Sequence, residues 1–88
     1  MTDRRMVLRQ AEEAVSRSRE ADHGAPEDSF RRIAGLWAAY LGHALTGHDV
    51  AMLMVLLKVA RAQDNPTHVD SLVDIAGYAA CAAEVADG

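Results

Sequence analysis

Five residues near the C-terminal end have types and spacing suited to chemistry. Asp70, Asp74, Gly77, Cys81 and Glu84 follow one another at intervals of four, three, four and three. On a helix that spacing puts them on one stripe. Two carboxylates one turn apart, beside small residues, leave room for a ligand or a divalent cation. Hard cations take oxygen ligands, and magnesium typically uses one or two carboxylates together with substrate phosphates. Asp74, Asp70 and Glu84 are therefore the candidate metal ligands. The same residues have a structural alternative, in which Asp70 caps the helix and Asp74 pairs with a base.

Lys58 and Arg61 are one turn apart and are the only basic residues after Arg32. An arginine fork and a lysine point charge are phosphate-binding groups. The alternative is ion pairing with Asp70 and Asp74 across the short turn Asp64–Pro66, since buried charges need partners. The two readings are compatible if the cluster lines a pocket. Glu12, Glu13 and Glu20 are further candidate ligands, but they are interleaved with Arg9, Arg17 and Arg19 like an ordinary solvated face. Asp22-His23-Gly24 reads as a helix end that could form a lip. No two of His23, His43, His48 and His68 make the i, i+4 pair of a helical zinc site. Cys81 has no basic neighbour in sequence to lower its pKa, so a nucleophile is not indicated. There is no Gly-rich phosphate loop. Met52 and Met54 read as packing residues, as do Trp37 and Tyr40 on their apolar stripe, although either ring could stack a base.

The elements that must position these groups are four helices, over about 3–22, 26–41, 47–63 and 67–86, in a single domain spanning residues 1–88. Val7, Leu8, Ala11, Ala14 or Val15, and Ser18 recur at helical spacing, and His23-Gly24 ends that stretch. Pro26 suits a first helical position, with Glu27 and Asp28 favourable at the positive end of the dipole. Phe30, Ile33, Ala34, Trp37, Tyr40 and Leu41 form the second apolar stripe, and Gly42 is its stop. Thr46-Gly-His-Asp49 and Thr67-His-Val-Asp70 both read as capping boxes with Asp in place of Glu. From Val50 to Leu57 the third helix is apolar on every side, which predicts burial all round and a place at a subunit interface. Short connections imply antiparallel neighbours. The expected fold is all-α, a four-helix up-down bundle completed by oligomerisation.

Composition agrees. Half of the 88 residues are apolar and 17 are alanine, the best helix former, whereas only four are aromatic. Ordering such a chain costs roughly 1.5 kcal/mol per residue, and alanine buries little area in return. A homodimer or homotetramer follows as an expectation. The net charge of −4 argues against non-specific nucleic-acid binding. One cysteine allows no intrachain disulfide, and a reducing cytoplasm is the expected compartment. The N-terminus lacks the apolar stretch of a signal peptide. The longest charge-free run, 33–48, is too short and too polar to span a membrane.

Several segments also look familiar. Arg19-Glu-Ala-Asp-His-Gly24, Phe30-Arg-Arg-Ile-Ala-Gly-Leu-Trp37, Asp49 through Lys58 to Arg61, and Asp70-Ser-Leu-Val-Asp74-Ile-Ala-Gly-Tyr78 together resemble a family of small phage and prophage proteins of unknown function. That family usually has Tyr-Gly in place of His23-Gly24. More distantly, the pattern resembles the all-α, MazG-like nucleoside triphosphate pyrophosphohydrolases. Those are helical bundles, normally dimeric or tetrameric, that hold magnesium with an EExxE motif and an ExxD motif. Asp74 stands in the place of the second motif's Asp; Ser71 replaces its Glu, with Asp70 adjacent. Glu12-Glu13 is followed by Ser16 rather than a third Glu.

The resemblance implies a protein that acts on nucleotides in the cytoplasm of a bacterial host. If catalytic, it would hydrolyse a nucleoside triphosphate to monophosphate and pyrophosphate. Asp74, helped by Asp70 and by Glu84 or an acid of the first helix, would hold magnesium, with manganese as substitute. Lys58 and Arg61 would stabilise phosphate charge. The alternatives are a module that binds a nucleotide without turnover, and an interaction protein in which Lys58, Arg61, Asp70 and Asp74 only lock helices together.

Overall fold

The computed structural model describes residues 2–16 and 24–87, and every regular element among them is a helix. These are α1 (Arg4–Ala14), α2 (Pro26–Leu41), α3 (Gly47–Asp64) and α4 (Val69–Asp87). No helix among the described residues is long and apolar enough to cross a membrane.

The starts and stops follow local chemistry. Asp3 caps α1 by accepting from the Arg5 N–H at 2.8 Å. Pro26 opens α2, with Glu27 and Asp28 in its first turn, and Gly42 closes it in the left-handed conformation at φ 70°. Thr46 and Asp49 form the reciprocal capping box of α3: the Thr46 hydroxyl accepts from Asp49 N–H at 3.1 Å, and Asp49 Oδ2 accepts from Thr46 N–H at 2.9 Å. The Thr46 backbone bond, and then its hydroxyl, hold the Asp49 carboxyl below the usual aspartate range.

Two boundaries differ from the sequence expectation. α1 stops at Ala14 rather than continuing to Asp22; Val15 and Ser16 turn out of it, their N–H groups bonded to Ala11 and Glu13 carbonyls. A β-branched residue followed by a serine, whose hydroxyl competes for backbone groups, is a weak continuation. The expected positions of Ser18, Glu20, Asp22 and His23 lie outside the described residues. At the other end, Thr67 does not cap α4. The helix begins at Val69 with His68 before it, its Nδ1 3.2 Å from Ser71 Oγ, while the Thr67 hydroxyl donates to Asn65 Oδ1 at 3.3 Å within the turn.

α3 and α4 form an antiparallel hairpin. Its register is fixed at one end by Lys58 against Asp74 and at the other by His48 Nδ1, which donates to the Ala82 carbonyl at 3.0 Å. α1 lies on α4, where Val15 approaches within 3.5 Å of the place a Gly77 Cβ would occupy. α2 lies mainly on α3; Phe30 packs beside Gly47, and its ring is tilted 33° to that of Tyr78 with centroids 6.3 Å apart.

The core is small. Among the described residues the buried apolar ones are Ala11, Ala34, Val50, Ala51, Val73 and Ala82, with Val50 the largest fully buried side chain. α3 is covered on one side only: Val50 and Ala51 are inside, while Met52, Leu53, Leu56 and Leu57 are exposed. Tyr40 is not a packing residue, being 91% exposed. Its stripe on α2 is wider than the surface the hairpin offers to cover it.

Candidate functional site

The turn between α3 and α4 gathers the charged residues. Lys58 Nζ and Asp74 Oδ2 are 3.0 Å apart, and the two side chains are 19% and 37% exposed. The hairpin register explains the meeting. Lys58 is six residues before the end of α3 and Asp74 is the sixth of α4, so both stand about two turns from the connection. The pair is half-buried, so each charge depends on the other for much of its solvation.

Concave surfaces open on both sides of this pair. One is an open cleft of about 410 Å³ whose lining includes Phe30, Ile33, Gly77 and Tyr78 together with Lys58 and Asp74. The other is a polar groove of about 230 Å³, where Lys58 and Asp74 are joined by Arg61, Asp64, Asn65, His68, Asp70 and Ser71. The cleft lies in the volume range of small-molecule sites. An open, mainly apolar cleft with two aromatic rings in its lining thus shares one ion pair with a charged groove.

The expected site residues divide accordingly. Asp70, Asp74, Lys58 and Arg61 all line the groove. Lys58 and Asp74 are paired, while Arg61 and Asp70 form no ion pair among the described residues. Gly77 and Cys81 of the acidic stripe face the cleft. Glu84 does not join them. It is exposed, lines neither cavity, and lies ten residues beyond Asp74, about 15 Å along the helix. Glu12 and Glu13 are exposed on α1 and also line neither, and Glu20 falls outside the described residues. Among the described residues no three of His, Cys, Asp and Glu converge as a metal site would require. Asp70 and Asp74 alone match the number of carboxylates magnesium takes when phosphates complete its shell.

Sequence reasoning did not single out Phe30 and Tyr78 as a pair. Phe30 belongs to the α2 stripe, and Tyr78 is one turn after Asp74, so a signal existed for each separately. Their meeting depends on how α2 crosses the hairpin, which no local pattern encodes.

Comparison with known proteins places the chain. The chain is 47% identical over 74 residues to the Gene 55 protein of Mycobacterium phage L5, covering 83% of this chain and 47% of that one. It is 39% identical over 75 residues to the Gene 55 protein of Mycobacterium phage D29, covering 85% and 50%. The chain thus spans about half the length of the curated relatives it matches. No solved structure matches. The segments quoted above as familiar, and the turn that carries Lys58, Arg61, Asp70 and Asp74, fall within residues 6–86, which match the family described as Domain of unknown function (DUF6378); the chain belongs to that phage-protein family.

Proposed function

We propose that the hairpin end is a nucleotide site of MazG-like type, in a four-helix up-down bundle working in the cytoplasm of a phage-infected bacterium. The observation that carries this reading is the Lys58–Asp74 pair standing between an aromatic cleft and a charged groove. A nucleotide has the same two halves. Its base would lie against Phe30 and Tyr78, where ring faces and apolar walls exclude water. Its phosphates would enter the groove, with Arg61 presenting a two-toothed donor set and Lys58 a point charge.

Asp70 and Asp74 would hold magnesium or manganese jointly with the phosphates. The ion, when bound, would polarise a phosphate and lower the pKa of an attacking water. Hydrolysis would break the bond between the α-phosphorus and the oxygen bridging to the β-phosphorus, giving a monophosphate and pyrophosphate. Lys58 would turn from Asp74 toward the departing charge, stabilising it where it develops.

A second reading is favoured by a specific observation: no third carboxylate converges with Asp70 and Asp74 among the described residues. A site so sparing in ligands suits capture of a nucleotide without turnover.

The test is thermal stability against a panel of nucleoside mono-, di- and triphosphates, each with and without magnesium or manganese. A ligand at a hundred times its Kd stabilises by about 2.7 kcal/mol, or roughly 10 °C or more in a domain of this size. A shift that needs both triphosphate and metal, followed by release of pyrophosphate, supports the enzyme. A shift from nucleotide alone, with the ligand recovered intact, supports the binder. No shift with any nucleotide refutes both.

A further inference from the structure

The outward side of α3 is the least explained surface of the molecule. Met52, Leu53, Leu56 and Leu57 are 45%, 40%, 60% and 42% exposed. They occupy successive turns, so they form one continuous ridge. Between Asp49 and Arg61 the only charged residue is Lys58, and that is turned inward onto Asp74. A surface helix normally puts charge on its outer face. Here the outer face is as apolar as the inner one, whereas among the described residues no buried apolar side chain is larger than valine. The radius of gyration, 13.6 Å, also exceeds the roughly 12 Å of a fully compact chain of this length.

We infer that this ridge is the seam of a symmetric dimer, in which α3 packs antiparallel against α3 of a second copy. The charges at its two ends give the direction. The ridge is bracketed by Asp49 on one side and Arg61 on the other, and their midpoint, residue 55, falls within half a residue of the centre of the four exposed side chains. A two-fold axis there sets Leu53 against Leu56 of the partner subunit, and Met52 against Leu57 of the partner subunit. It also brings Asp49 to within one residue, about 1.5 Å of rise, of Arg61 of the partner subunit at both ends. A parallel arrangement would set Asp49 against its own copy and Arg61 against its own, which costs rather than gains. The capping bond uses Oδ2 of Asp49, which leaves the other carboxylate oxygen for this pair.

The ridge supplies a substantial part of the area a dimer needs. A standard interface covers about 800 Å² per partner, a little over half of it apolar. The four ridge side chains leave on the order of 300 Å² outside. Val59 and Ala60 on α3, and exposed Leu72, level with Ala60 in the hairpin register, extend it toward the rest. The four ridge side chains line neither the cleft nor the groove, and of the residues placed in the seam Arg61 alone also lines the groove, so the seam can fail or hold whatever the nucleotide test returns.

The experiment is sedimentation equilibrium on the wild-type chain and on Leu53→Lys and Leu56→Glu. The wild type is expected at twice the 9.5 kDa chain mass, with a melting temperature that rises with protein concentration. Each single variant is expected to weaken self-association by at least about 100-fold, because a lone charge is set into an apolar seam. An equimolar mixture of the two is expected to recover a dimer, since the antiparallel seam sets residue 56 of one against residue 53 of the other. Circular dichroism and the melt keep a folding failure apart from dissociation: helical monomers that rejoin only on mixing support the seam. A wild type that sediments as one chain with a concentration-independent melt overturns it. So does an oligomer that Leu56→Glu leaves intact, and so does a mixture that stays monomeric.

Discussion

Replacing Lys58 by Met and Asp74 by Leu, singly and together, tests the centre of the site. The pair is 3.0 Å apart, with side chains 19% and 37% exposed. Fully exposed pairs contribute about 0.2–1 kcal/mol, while stranding one half of a buried pair costs about 3–5 kcal/mol. A half-buried pair falls between, so each single change should cost about 1–3 kcal/mol. The two should not be equal. Asp74→Leu strands the more covered Lys58, whereas Lys58→Met strands an aspartate that water reaches more easily. Asp74→Leu is thus the costlier by about 1 kcal/mol. The double variant removes both charges and supplies apolar volume, so it should regain most of the loss, with a coupling of about 1–2 kcal/mol. In a domain of this size each kcal/mol moves the melting temperature by about 4–8 °C. Urea and thermal melts of the four proteins at one concentration give the cycle. Strictly additive single changes would refute the coupling, and a costlier Lys58→Met would refute the burial argument. A double variant that is as stable as wild type yet blind to nucleotide would separate the site's binding role from its locking role.

Two further outcomes follow from individual residues. The Asp49 carboxyl is held below its ordinary value by the Thr46 cap, so its contribution is complete above the unfolded value of about 3.9 and is lost as pH falls through the lower folded value; Asp49→Asn should therefore lower stability near neutrality and flatten the acid side of the stability–pH curve, which denaturant melts between pH 2 and 7 would show. Gly77→Ala meets only Val15 at 3.5 Å, an ordinary contact, and alanine gains up to about 1 kcal/mol over glycine inside a helix; it should raise the melting temperature while narrowing the cleft and reducing any nucleotide-induced shift.

Much of this structure was legible where a single residue type decides the local outcome. Gly42 offers the left-handed stop, Pro26 the first turn, and Thr46 with Asp49 a box whose two bonds need only correct spacing. Thr67 has the same spacing and does not cap, because the turn carries the chain one residue further and the helix begins at Val69, with His68 rather than Thr67 before it. The Lys58–Asp74 meeting could be foreseen because a short turn fixes how far two antiparallel helices run before their residues stand level. Glu84 stands apart from Asp70 and Asp74 for a geometric reason. Sharing a helical stripe aligns residues in angle but spreads them in height, and fourteen residues separate Asp70 from Glu84 by about 21 Å. The exposure of Tyr40 and of the α3 ridge was not legible, since periodicity marks an apolar face without saying whether this chain has anything to cover it.

The hairpin register has a kinetic consequence. Its two fixing contacts join residues 16 and 34 positions apart, and its central turn needs only a few residues to close. Such local pairing makes α3 and α4 a natural first folding unit, onto which α1 and α2 dock. The cleft has one wall on that unit, at Tyr78 and Gly77, and the other on the docking helices, at Phe30, Ile33 and Val15. It is therefore a seam between an early and a late element. A molecule seated there would bridge them, so occupancy and the docking of α1 and α2 would rise and fall together, as a single cooperative event.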